Sequence, residues 1–235
     1  MKGQNIGKLF ILFLAIVLLV GGGSFLYIWV SGGSGEPTRE TEAENVDSRQ
    51  EESVVYEVDP DSSEARFIIG EVLRGEENTV EGRTDQIDGS VALRPDSNEL
   101  EIGEFVINVR SIETDDEVRD RTIRSRILES NQDEYEFSTF DPTELTGLPE
   151  SIEIGDSFSF EVTGELTIRD VTSSVTFDMS LDIRSEDEIE GSASTTLEWD
   201  DFDITIPSVG GDSIVASVEE SVDLELEFVA TAAEG

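Results

Sequence analysis

The chain has 235 residues, with 15 basic and 55 acidic side chains, a formal net charge of −40, and neither histidine nor cysteine. These absences exclude disulfides, thiol chemistry, Cys/His zinc sites, lipoprotein attachment through an N-terminal cysteine, and every Ser-His or Cys-His nucleophile pair. Both lysines, Lys2 and Lys8, lie at the extreme N-terminus, so general acid or base chemistry in the folded part would fall to Asp, Glu or Tyr. Every acidic residue lies beyond position 35. Such a surface repels phosphate backbones and excludes nucleic acid as a partner. Acidity this even suits a protein bathed in salt, and its melting temperature should rise between low and molar salt as self-repulsion is screened.

Leu9 to Val30 (LFILFLAIVLLVGGGSFLYIWV) is an uncharged run long enough to cross a hydrocarbon core of about 30 Å. Lys2 and Lys8 precede it and acidic residues follow. The positive-inside bias then keeps residues 1–8 in the cytoplasm and sends the remainder out, with Tyr27 and Trp29 at the outer interface. The expectation is a single N-terminal transmembrane helix over 9–30 anchoring the protein in the cell membrane. The competing reading is a cleaved signal peptide with an apolar region at Ile11 to Val20, which would leave a secreted protein. Residues 31–53 are Gly/Ser-rich and then acidic, the composition of a flexible linker.

From Val54 the apolar period is two. Strands are expected at Val54 to Asp59, Ala65 to Ile69, Thr79 to Arg83, Ile87 to Leu93, Leu100 to Val109, Tyr135 to Phe140, Phe158 to Ile168, Val175 to Ile183, Ile189 to Trp199 and Val222 to Phe228. Most are apolar on one side and polar or acidic on the other, so they describe an antiparallel sheet with one dry face. With no second domain to cover it, that sheet closes into a barrel of about eight strands. The barrel spans residues 54–230, with 231–235 as a tail. One helix interrupts it, over Ser111 to Leu128, with Thr114 and Glu117 as a capping box. On a helical projection Ile123 and Ile127 lie side by side, flanked by Arg119 and Arg126 on one side and Arg121 and Arg124 on the other. The arginines fit two roles: partners for nearby carboxylates, or guanidinium forks for an anionic head group.

Carboxylates at Asp59, Glu113, Asp120 and Asp170 fall beside turns and strand ends. Ser62, Ser111 and Ser138 have no histidine to activate them. The expectation is no enzyme, no metal site and no required cofactor. Inward candidates are Phe67, Ile107, Phe137, Phe160, Phe177, Met179, Leu181, Trp199, Leu224, Leu226 and Phe228, and parity leaves open whether they fill the barrel or line a hollow.

Five islands carry a family resemblance. They are Tyr56-Glu-Val-Asp-Pro-Asp-Ser-Ser-Glu-Ala-Arg-Phe67, Ser111-Ile-Glu-Thr114 followed by Arg119-Asp120, Tyr135-Glu-Phe-Ser-Thr139, Gly164-Glu-Leu-Thr-Ile-Arg-Asp-Val-Thr172, and Trp199-Asp-Asp-Phe202. In order and spacing they resemble the YceI-like lipid/polyisoprenoid-binding family across Val54 to Val229. The resemblance implies a lipocalin-like antiparallel barrel, an exported protein, and a bound isoprenoid lipid or quinone in a hydrophobic cavity. On that reading the apolar candidates above, with Ile123, Ile127 and Phe202, line the cavity, and Arg119 and Arg121 meet the head group. Two family positions differ here. The histidine after Arg-Asp is absent, with Thr122 near its place, and the arginine before Asp-Phe is replaced around Trp199. Both changes fall where a polar head group would be held.

Overall fold

A computed structural model describes residues 30–44, 46, 53–73, 75–94, 99–206 and 215–233. The strands are β1 (Val54–Val58), β2 (Glu64–Leu73), β3 (Glu76–Thr84), β4 (Ile87–Leu93), β5 (Leu100–Asn108), β6 (Phe137–Thr146), β7 (Ser157–Ile168), β8 (Val171–Ile183), β9 (Glu188–Glu198), β10 (Val215–Val218) and β11 (Ser221–Ala232). Neighbours run β1–β4–β5–β6–β7–β8–β9–β11, and β11 pairs back onto β1, so eight strands close an antiparallel barrel. Closure satisfies the ladder hydrogen bonds that an open sheet would leave at its edges.

The strand β11 is longer than β1 and uses two partners on that side. Its end pairs with β1 through Tyr56↔Ala232, and its earlier part pairs with β2 through Leu224↔Phe67. Between β1 and β2 the chain makes a short 3-10 turn at Pro60–Ser62, held by Asp59, which accepts from the Asp61 N–H and the Ser62 hydroxyl. The β2–β3 hairpin and β10 extend the wall beyond the ring. The expected strands are present, and β11 runs two residues past the expected boundary at 230.

Cross-strand glycines set the curvature. Phe67 faces Gly82, Phe105 faces Gly89 and Phe228 faces Gly191 in the ladder. In each pair a Cβ on the glycine would collide with the ring, so the rings lie flat across the neighbouring backbone. Gly191 is the tightest site, because Phe228 and Leu181 are both closed off from solvent there. Gly191→Ala should therefore destabilise the domain by about 1–3 kcal/mol through overpacking, measured as a shift in urea midpoint.

The helix is shorter than expected. It comprises α1 (Glu117–Thr122), followed by a wider π turn at Ile123–Ile127 closed by Leu128 N–H to the Ile123 carbonyl at 2.9 Å. Residues 111–116 do not join it, because Glu113 exchanges both backbone hydrogen bonds with Arg83 of β3. Asp116, rather than Thr114, caps the helix by accepting from the Val118 and Arg119 N–H groups. Thr114 instead donates its N–H and hydroxyl to Asp120, at 2.8 and 2.6 Å. The expected membrane span over 9–30 lies outside the described residues except for Val30. Among the described residues no helix is long and apolar enough to cross a membrane.

Candidate functional site

The inner wall has two different halves. One end is marked by the β8–β9 turn, where the Tyr56 hydroxyl donates to the Glu186 carbonyl at 3.2 Å. There Tyr56, Leu181, Ile183, Ile189, Phe228 and Ala230 form one closed apolar cluster with Phe105, Phe160, Val162 and Met179. Toward the other end, alternation and pairing point Phe67, Ile69, Phe177, Thr195, Leu197 and Leu224 to the same inner side, yet each remains half-buried. Of these, Phe177, Leu197 and Leu224 pack against a second apolar cluster of Leu166, Val175, Phe202 and Ile204. Phe177 meets Phe140 edge-on, with centroids 4.9 Å apart.

A cap lies over this second end. Phe202 and Ile204 pack on Leu166 and Val175, with Ile127, Leu128 and Trp199 against them. The Trp199 indole N–H donates to the Glu219 carbonyl at 2.7 Å. Arg169, in the β7–β8 turn at a left-handed φ of 56°, ties the pieces together. Its guanidinium donates to the carbonyls of Ile127 at 3.3 Å, Phe202 at 3.2 Å and Asp203 at 2.7 Å. Arg169→Ala should cost about 1.5–3 kcal/mol, the range for hydrogen bonds to a charged group, and should speed amide exchange at 199–204. A variant as stable as the parent would remove Arg169 from this role.

The arginines of α1 are already engaged. Arg119 pairs with Asp115 and, at 3.5 Å, with Glu71. Glu71 belongs to β2, is buried, and also accepts from the Asn78 amide at 2.9 Å. Arg121 pairs with Glu117 at 2.7 Å and donates to the Gly33 carbonyl at 2.8 Å. Arg124 is buried and donates to the Gly32 carbonyl at 2.8 Å. Burial pulls its guanidinium below the ordinary arginine value, against the raising effect of Asp120.

The segment expected to be a linker has contacts of its own. From Gly32 beside α1 it passes down the outside of the barrel. The Thr38 N–H and hydroxyl donate to Glu136, Ala43 N–H donates to Asp88, Glu44 N–H to Glu104, and Val46 N–H to the Ser90 hydroxyl. Glu136 is wholly buried and also accepts from Asn108 at 3.1 Å, with the Arg110 guanidinium at 3.2 Å. Burial alone would raise its carboxyl. The hydrogen bonds from Thr38 and Asn108 and the Arg110 charge outweigh that and hold it below the ordinary glutamate value.

The expected cavity-lining set therefore divides. Phe67, Ile107, Phe177, Trp199, Leu224 and Leu226 are inward or cap residues with partial exposure, Ile127 and Phe202 belong to the cap, and Ile123 is buried in the π turn beside it. Phe160, Met179, Leu181 and Phe228 belong to the closed core instead. Phe137 corrects the expectation most clearly. Phe140, opposite Phe105, is the inward member of β6, so Phe137 three residues earlier falls on the outer side. Arg39 stacks over its ring there at 4.6 Å. Ile69, Thr195 and Leu197 were missed, although each lies two residues from an inward neighbour. Arg169 and Glu136 carried no apolar signal, and only their partners reveal them.

The model of the YceI-like domain matches residues 56–230. No curated relative matches the sequence. Among solved structures, the chain is similar to a polyisoprenoid binding domain from Saccharophagus degradans implicated in plant cell wall breakdown, at 14% identity and TM-score 0.57, covering 76% of this chain and 98% of that one. It is also similar to BcnA of Burkholderia cenocepacia, at 18% identity and TM-score 0.57, covering 74% and 99%. A YCEI protein of Campylobacter jejuni aligns at 16% identity and TM-score 0.50, covering 65% and 85%. With the family model spanning most of the sequence and an eight-stranded barrel beneath it, the chain belongs to the YceI-like family.

Proposed function

We propose that the protein binds a polyisoprenoid lipid in the accessible half of its barrel and holds it outside the cytoplasm for transport, storage or sequestration, anchored in the cell membrane by residues 9–30. The observation that carries this reading is the row of inward yet half-accessible apolar side chains, Phe67, Ile69, Phe177, Leu197 and Leu224. Phenylalanine and leucine surfaces hold a C5-repeat chain by burial, at about 25 cal/mol per Å² of apolar area, and need no directional contacts.

The head group favoured is neutral, a quinone or polyprenol. Arg119 and Arg121, the residues a phosphate would need, are already paired with carboxylates, and an anion would have to displace those partners. Binding without catalysis fits the absence of histidine and cysteine from the sequence.

The test is extraction and mass spectrometry of the purified protein after incubation with a long-chain quinone, a polyprenol and a polyprenyl phosphate in separate samples. Near-stoichiometric recovery of either neutral lipid supports the proposal. Recovery of the phosphate alone would reverse the head-group assignment, and recovery of none would defeat lipid binding.

A further inference from the structure

The route of the chain into the barrel is longer than it needs to be. The barrel's first strand, β1, begins at Val54 opposite Leu93, at the closed end. A direct connection would therefore bring the preceding chain to that end. Instead, Gly32 lies beside the cap, and the contacts of Thr38, Ala43, Glu44 and Val46 follow the outer wall from there as far as the middle of β4.

The attachment there is specific. Arg124, itself buried, holds the Gly32 carbonyl, and Arg121 holds the Gly33 carbonyl, both at 2.8 Å. A Cβ on Gly32 would collide with the backbone and Cβ of Arg121, so the two chains are in close contact. The apolar run of the sequence ends at Val30. Gly32 is two residue steps beyond that point, a reach of at most about 7 Å.

We infer that the protein sits on its bilayer with the cap end, α1 and the mouth it covers, turned toward the lipid, and the β8–β9 end turned away. This inference rests on the reading of residues 9–30 as a membrane anchor. It adds a direction of transfer, since a lipid leaving the bilayer would meet the mouth without crossing open water. The exposed apolar side chains agree with it in part. Val30 is 68% exposed, and Val118 on α1 is 43% exposed. The opposite end should stand well clear. The 13 residues of β8 span about 43 Å, or roughly 30 Å along the axis of a barrel with strands tilted by about 40°.

The absence of cysteine makes the test direct. Val118→Cys and Ile154→Cys place single thiols at exposed positions, the second beside Gly155, whose N–H bonds to Ile183 at the far end. Each full-length variant is labelled with a fluorophore and reconstituted into phosphatidylcholine–phosphatidylglycerol vesicles carrying a head-group spin label. Quenching should be several-fold stronger at Val118 than at Ile154. A Gly/Ser spacer inserted between Val30 and Ser31 should reduce that difference while leaving the fold unchanged. Equal quenching at the two positions in vesicle-bound protein, or stronger quenching at Ile154, would overturn the orientation while leaving the anchor in place. A full-length chain that fails to sediment with the vesicles would remove the anchor, and the orientation with it.

Discussion

Glu136→Ala should lower the stability of the domain by about 3–5 kcal/mol, the cost of stranding one member of a buried ion pair. Arg110 would lose the carboxylate 3.2 Å away while keeping Asp133 and the Ser130 carbonyl, which places the effect toward the lower bound. Thr38 would lose both of its bonds to the barrel, so faster amide exchange around 38–44 should accompany the loss. Glu136→Gln keeps the shape but presents one donor to neighbours that are themselves donors, and should fall between. The pH dependence separates charge from packing. The Glu136 carboxyl is held below its ordinary value in the folded state. Its stabilisation is therefore complete above the unfolded value, about 4.3 for glutamate, and is lost as pH falls through the lowered folded value. Acidification also relieves repulsion among 55 acidic side chains, an effect common to parent and variant. The quantity to follow is the difference in urea midpoint between parent and Glu136→Gln. It should be constant near neutrality and shrink below about pH 4. A gap that persists into strong acid would show that the carboxylate charge contributes little.

The barrel was legible in the sequence because alternation is a property of each strand by itself. Val222 to Phe228 shows its inner and outer faces without reference to any neighbour, and β11 has them so. Registration between strands is a different kind of information. Phe137 looks like an inward residue in sequence because Tyr135, Phe137 and Phe140 crowd three rings into one short stretch, and alternation there fits either face. Only its pairing, with Phe140 opposite Phe105, fixes which ring enters. The division of the interior into closed and accessible halves was likewise invisible, since Leu181 and Leu224 have the same local pattern and differ only in what surrounds them. The helix was found but overextended. Its first residues were drawn to β3 by the Arg83–Glu113 bridge, a long-range contact that no capping rule contains. Glu136, wholly buried, and Arg169, half-buried, illustrate the remaining gap: an engaged charge among many exposed ones is distinguished by its partners alone.

Thr195→Trp should abolish isoprenoid binding while leaving the stability of the unliganded protein within about 1 kcal/mol of the parent. Thr195 faces inward on β9 opposite Leu224, which is in turn opposite Phe67. All three are half-buried, so an indole at 195 would project into the space they surround. If that space is vacant in the free protein, the ring fills it and its apolar burial offsets the lost bond from the Thr195 hydroxyl to the Thr176 carbonyl. If the barrel is solid, the same ring overpacks the core and costs about 1–3 kcal/mol or more. The substitution thus distinguishes a hollow barrel from a filled one by stability alone, before any ligand is identified. Leu181→Ala supplies the contrasting control, because a fully buried leucine in the closed half should lose about 2–5 kcal/mol. Leu224→Ala should lose less in the free protein and more when lipid is bound, since part of what Leu224 packs against is then the ligand. Urea titrations of the three variants with and without quinone measure each of these differences. A Thr195→Trp protein that still binds isoprenoid at the parent level would place the ligand outside this half of the barrel.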